Sequence, residues 1–321
     1  MSGQPVFDIL VSADALVDDA DETLGRFDRA IGLPAPRPSW SQEPEGHGFR
    51  AWWCRVHPKL QVGPTRLEII APKPVEPEER DPAYSCIPEI WESQRERPVR
   101  THSTVFATRR FEDVLEHVRR AGITHRVDAA VDELPFPRLW IGRSREDPAT
   151  YDAEADGGMY LEVLPLDGLN LPEGATAYNV PPEPEYDGAE LVRIVSRGFL
   201  VDDLDATLRR LADVFRWEPD AAGVVEEDGC RTARMAVRVP HSATLQISQP
   251  LVAGDEAAFM ARWGAGPYDI KMAVGDVDAK EEDLQRRGTP YRRVEGDRGP
   301  QLRVDPAALG GTRVVLVGTR A

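Results

Sequence analysis

A chain of 321 residues is long enough for about two domains with sizeable cores. Its 55 Asp and Glu against 39 Lys and Arg give a net charge of −16, and no basic stretch with interleaved aromatics interrupts that field, so nucleic acid is excluded as a partner class. No run of about 18 apolar residues is present to span a membrane, the N-terminus lacks a basic-then-apolar secretory pattern, and Cys54, Cys86 and Cys230 are widely separated with no CxxC, which reads as reduced thiols in a cytoplasmic protein.

The predicted elements repeat one plan four times. A strand over Val6–Val11 leads to a helix over Asp21–Ile31, where Leu24, Phe27 and Ile31 recur at helical spacing, and strands follow at Phe49–Val56 and Thr65–Ile70. The second module opens with a strand at Thr101–Phe106. Its helix carries Phe111, Val114, Leu115 and Val118 on one stripe and stops at Gly122, and strands near Arg138–Ile141 and Met159–Leu164 complete it. The third begins at Leu191–Val201. Asp202, Asp203 and Asp205 then mark a helix start, where carboxylates cap free N–H groups and oppose the dipole, and strands follow near Arg234–Val239 and Ala243–Ser248. The fourth runs from Tyr268–Val274 through Gly275-Asp276-Val277-Asp278-Ala279 to Arg313–Val317.

Each unit reads β-α-β-β-β, an α+β plan. One helix covers only one face of its small sheet, so two units side by side make a curved sheet with a sheltered concavity where ligands bind. Residues 1–170 hold two modules and 191–321 the other two. The proline-rich stretch 171–190, with Pro172, Pro181, Pro182 and Pro184, is expected to be a linker. Residues 72–98 are also proline-rich but carry Ile87, Ile90 and Trp91, and are expected to form an ordered crossover on the first domain.

Two pairs of ligand-type residues share one setting in the first half. Asp8 precedes Glu68 by the same interval that separates His102 from Glu162. Each first member lies in a short apolar strand ahead of a helix, and each second member in a strand that ends in proline. In Leu67-Glu68-Ile69 and Leu161-Glu162-Val163, period-two alternation puts the glutamate opposite its apolar neighbours and into the concavity. A lone strand glutamate ordinarily faces solvent; the matched spacing sets these apart. Carboxylates brought together without a cation repel one another, and a divalent ion relieves that repulsion. One imidazole with oxygen donors suits Mn, Fe, Co, Ni or Zn.

These features together resemble the vicinal oxygen chelate superfamily, which includes glyoxalase I, methylmalonyl-CoA epimerase, extradiol dioxygenases and related resistance proteins. The resemblance covers nearly the whole chain and is carried by the fourfold module, the Asp-Asp-Leu-Asp-Ala-Thr-Leu helix start at 202–208, Thr-His-Ser-Thr-Val-Phe at 101–106, and the Leu-Glu-Ile and Leu-Glu-Val strands. It implies two glyoxalase-like bidomains and one divalent metal ion held by Asp8, Glu68, His102 and Glu162, with Ser12 as an alternative register for Asp8. The corresponding positions of the second half, Ser196, Gln246, Asp269 and Val315, would make a poor cation site. The implied activity is that of a metal-dependent lyase, isomerase or epimerase acting on a small hydroxy-carbonyl substrate through a metal-stabilised enediolate, with Glu68 or Glu162 as base. The alternatives are a ring-cleaving extradiol-type dioxygenase, for which the second half lacks the two-histidine, one-carboxylate set, and a non-catalytic small-molecule binder walled by Trp52, Trp53 and Trp140, with His57 a further residue at the pocket border. A monomer or a homodimer fits either plan.

Overall fold

The computed structural model describes residues 5–36, 41–42, 46–57, 63–81, 84–131, 134–144, 150–169, 171, 186 and 188–319. Most of the linker expected at 171–190 lies outside the described residues. No helix among the described residues is long and apolar enough to cross a membrane.

Four modules follow one another. The first comprises β1 (Ile9–Leu16), α1 (Ala20–Ile31), β2 (Ser41–Gln42), β3 (Phe49–Cys54) and β4 (Arg66–Pro72). A short helix, α2 (Ile87–Ser93), crosses to the second module: β5 (Thr104–Thr108), α3 (Phe111–Arg120), β6 (His125–Asp128), β7 (Arg138–Ile141) and β8 (Leu161–Pro165). The third holds β9 (Leu191–Leu200), α4 (Leu204–Phe215), β10 (Pro219–Glu227), β11 (Cys230–Met235) and β12 (Thr244–Pro250). After α5 (Asp255–Trp263) the fourth holds β13 (Gly266–Val274), α6 (Val277–Arg287), β14 (Tyr291–Gly296), β15 (Gly299–Val304) and β16 (Val314–Gly318).

Local chemistry explains the helix boundaries. Asp19, Asp203 and Asp276 each accept a hydrogen bond from a first-turn backbone N–H of α1, α4 and α6. Gly32 and Gly288 close α1 and α6 in the left-handed conformation, which a residue with a Cβ adopts only at a cost. The crossover at α2 is ordered as expected: Ile87 and Ile90 are buried against Phe49, Ala51 and Ile70. α5 carries no strong apolar stripe and has no counterpart in the sequence reading; it buries Phe259 against Tyr268.

The modules pair into two eight-stranded sheets of identical order, β2-β3-β4-β1-β5-β8-β7-β6 and β10-β11-β12-β9-β13-β16-β15-β14. In each, the first and last strands of a module run parallel, and the two modules join through an antiparallel central pair, β1 with β5 and β9 with β13. The helices α1, α3, α4 and α6 cover one face of the sheets, and their apolar residues merge with those of both halves into one continuous core. Phe7 and Phe106 of the first half meet Trp217 of the second edge-on at 4.7 and 4.9 Å between ring centres. Edge-to-face aromatic pairs add about 0.5–1.5 kcal/mol each beyond their burial, so the halves are fused by packing.

The first strand departs from expectation. It starts at Ile9 and runs to Leu16, with a bulge between Leu10 and Ser12 where it pairs with β5. Ser12 and Asp14 thereby come to face the concavity beside Glu68, which is paired with Asp14.

Candidate active site

Glu68 on β4, Glu162 on β8 and His102 just ahead of β5 converge on the concave face of the first sheet, all three buried. The imidazole Nε2 of His102 is 3.9 Å from Glu68 Oε1 and 4.0 Å from Glu162 Oε2. Asp8 is not with them. Its carboxylate Oδ2 accepts the Arg109 backbone N–H at 2.8 Å, and Oδ1 lies 3.5 Å from Arg238 Nη1. At about 3.3 Å of rise per strand residue, six residues place it roughly 20 Å from Asp14 along the chain. The expected fourth ligand is therefore corrected: Asp8 binds arginines at the junction of the halves, because the strand enters the concave face later than its apolar run implied.

Three polar contacts hold the glutamates. The Ser12 hydroxyl donates to Glu68 Oε2 at 2.8 Å, and the Ser103 hydroxyl donates to Glu162 Oε2 at 2.8 Å, a matched pair from the two modules. The Trp53 indole N–H donates to the other oxygen of Glu68 at 3.0 Å. Glu68 is thus held at both oxygens and Glu162 at one.

His102 is oriented by Asp14, a residue the sequence reading passed over. Asp14 Oδ2 accepts both the backbone N–H of His102, at 2.7 Å, and its Nδ1–H, at 2.9 Å. The Thr101 hydroxyl donates to the other oxygen. An ionised carboxylate only accepts, so the Nδ1 proton is fixed and Nε2 is turned toward the glutamates. The legible signal was Ile9-Leu10-Val11-Ser12-Ala13-Asp14-Ala15-Leu16, in which the two polar residues stand two apart on one face.

Electrostatics follow from burial and proximity. Burial raises Glu68, an effect the charges of Asp14 and Glu162 add to and His102 only partly offsets. Burial likewise raises Glu162, against the charges of Arg138 and His102. For His102, burial disfavours the charged ring, but Glu68, the bond to Asp14 and Glu162 outweigh it and lift the pKa to about 9. Burial also works against ionised Asp14, and there the His102 bond and charge together with Arg197 prevail and hold it below the usual range. The geometry is that of a positive charge held between two reluctant carboxylates.

Among the described residues no group of three His, Cys, Asp or Glu side chains is drawn in to metal-ligand spacing. First-row cations with bonds near 2.1 Å place adjacent ligands about 3.0–3.5 Å apart. The separations of 3.9 and 4.0 Å require a closure of about half an ångström. In donor type, burial and orientation, the set fits a divalent ion.

Above the three side chains lies a cavity of about 40 Å³ walled by Phe49, Trp53, Ile87, Phe136, Trp140 and Leu164. Trp53 and Trp140 are therefore wall residues as expected, whereas Trp52 turns away and donates to Asp21 on α1. His57 faces Glu190 at 3.3 Å and the edge of Tyr186, away from this pocket.

The second concavity has the fold without this chemistry. Gln246 stands where Glu68 does, Val315 where Glu162 does, and Tyr268, counted back from the paired strand residues, where His102 does. A larger cavity in that half, about 350 Å³, is lined by charged groups several of which pair with one another or with neighbours. Arg303 pairs with Asp255 and Glu256, Arg292 with Asp255, and Arg313 donates to the Tyr268 hydroxyl. Its size does not make it the candidate site, because its Asp255 carboxylate and Tyr268 hydroxyl are already held by arginines.

No protein-family model matches the chain, and no curated protein matches it significantly. Solved structures do. A 4-hydroxymandelate synthase variant from Streptomyces coelicolor is 13% identical, with a TM-score of 0.56 over 99% of this chain and 94% of that one. Methylmalonyl-CoA epimerase from Mycobacterium tuberculosis is 25% identical over 40% of this chain and 88% of its own, with a TM-score of 0.34. The Streptomyces coelicolor epimerase bound to 2-nitronate-propionyl-CoA is 23% identical over 41% and 100%, with a TM-score of 0.37. The synthase match spans nearly all of both chains and carries the comparison of fold. The chain shares its fold with that synthase structure: two eight-stranded sheets, each built from two β-α-β-β-β modules.

Proposed function

We propose that the first bidomain binds one divalent cation through Glu68, His102 and Glu162, and that the protein is a metal-dependent lyase, isomerase or epimerase of a small hydroxy-carbonyl compound. The observation that carries this reading is the meeting of three ligand-type side chains, from two modules, at one buried point. The cation would supply Lewis-acid polarisation of adjacent substrate oxygens.

The protein's own residues supply the rest. Asp14 holds the Nδ1 proton of His102, so that Nε2 points at the glutamates, where a bound cation would displace its proton. The apolar walls exclude water and strengthen each electrostatic contact inside. A base that removes a proton beside a carbonyl needs a pKa near the working pH, and burial moves both glutamates in that direction. Glu162 suits the role better, because it is held by one serine while Glu68 is clamped at both oxygens.

The test is metal content and cobalt(II) titration of protein purified without added metal. One bound equivalent, lost in Glu162→Gln and His102→Gln, is the expected result. Absence of binding in the folded wild-type protein overturns the reading and favours the non-catalytic binder, for which the largely aromatic and aliphatic pocket is the supporting observation.

A further inference from the structure

Arg197 belongs to β9 of the second bidomain, yet its side chain ends beside the first bidomain's site. It is 1% exposed. Its neighbour Ser196 faces the second concavity and contacts Gln246, so alternation along the strand turns Arg197 to the opposite face, where its guanidinium lies over the Phe199 ring. Nη1 donates to the Asp269 carbonyl at 3.1 Å. Nη2 lies 3.8 Å from Asp14 Oδ1, on the carboxylate whose other oxygen holds His102. Nε and Nη2 make no hydrogen bond among the described residues. A fully buried guanidinium is costly unless paired with an opposite charge, and the carboxylate nearest this one is Asp14.

We infer that Arg197 is a positioning residue for the first bidomain's site: it sets the carboxylate of Asp14, and through it the backbone and ring of His102. The second bidomain, where Gln246, Tyr268 and Val315 stand in the places of Glu68, His102 and Glu162, would then complete the first. Its side of the contact is anchored, because the Asp269 carbonyl fixes one guanidinium nitrogen while another faces Asp14. The assignment rests on the proposed function only in taking His102 as a ligand; the contact itself is independent of any metal.

Arg197→Met removes the charge and Arg197→Lys keeps it at a shorter reach. In the full chain without metal, hydrogen exchange of the His102 amide, whose N–H is bonded to Asp14, is expected to quicken tenfold or more in Arg197→Met and less in Arg197→Lys, with the β3 and β4 amides unchanged. Cobalt(II) affinity is expected to fall about tenfold in Arg197→Met, the usual result of losing an outer partner of a ligand. Unchanged His102 exchange, or a general quickening across both sheets, overturns the inference. If Arg197→Met does not fold, His102 exchange in Arg197→Lys decides by the same criteria. If the wild-type protein binds no cobalt, the metal reading fails and amide exchange alone decides the role of Arg197.

Discussion

Asp14 holds His102 twice through a single oxygen, Oδ2, which accepts the backbone N–H at 2.7 Å and the ring Nδ1–H at 2.9 Å. The residue thus fixes where the imidazole begins and which way it points. Asp14→Asn places an amide where only an acceptor serves both donors. Cobalt(II) affinity is expected to fall 10–100-fold while the circular dichroism spectrum is retained. Affinity within a factor of two of wild type would remove Asp14 from the site.

The metal-free protein is expected to lose stability as pH rises. The folded pKa of His102, about 9, lies above its ordinary 6.5, so its contribution is complete below about 6.5 and is lost as pH rises through about 9. Glu68 and Glu162 are also raised and push in the same direction at lower pH, whereas Asp14, held low, contributes above its ordinary 3.8 and loses that only in acid. Thermal midpoints measured without metal should fall between pH 6.5 and 9.5, with a shallower slope in His102→Gln. Equal slopes would contradict the buried charge arrangement.

Glu162→Gln should separate stability from ligand binding. Burial penalises the ionised glutamate, so a neutral isostere is expected to raise the metal-free melting temperature near pH 8 and to abolish cobalt(II)-induced stabilisation. A lower melting temperature in the metal-free variant would show that the carboxylate has a structural role.

The two halves are expected to unfold together. Trp217 packs against Phe7 and Phe106 across the junction. Trp217→Ala should cost about 3–5 kcal/mol, lowering the midpoint of a single urea transition. Two resolved transitions in the wild-type protein would show that the halves are stable separately.

Gly198 lies under the Asp269 carboxylate: a Cβ at that position would fall 2.0 Å from Asp269 Oδ1. Asp269 is buried, and admitting a methyl group there requires its carboxylate to swing toward the cavity it lines. Gly198→Ala is expected to cost about 1–3 kcal/mol by urea denaturation. No loss would mean that Asp269 swings freely in the second concavity.

Much of the architecture was legible in the residues. The stripe Phe111, Val114, Leu115 and Val118, the aspartate start of α4, and the alternation around Glu68 and Glu162 are local patterns that survive in the structure. The convergence of Glu68, His102 and Glu162 was legible too, because module repetition makes the equivalent positions of two strands countable. The misplaced ligand at Asp8 shows the limit. A polar residue near the start of an apolar run can be inside or outside the strand, and a bulge between Leu10 and Ser12 resets which residues share a face.

Sequence by itself determined the fourfold β-α-β-β-β plan and singled out the acidic and imidazole residues that meet in one half, since helical and strand periodicities are written over a few neighbouring residues. Tertiary structure decided that Asp14 holds His102, that Ser12 and Ser103 brace the two glutamates, and that Arg197 reaches Asp14 from the other half. Those contacts depend on pairing register and on how two sheets pack back onto each other, which no local pattern encodes.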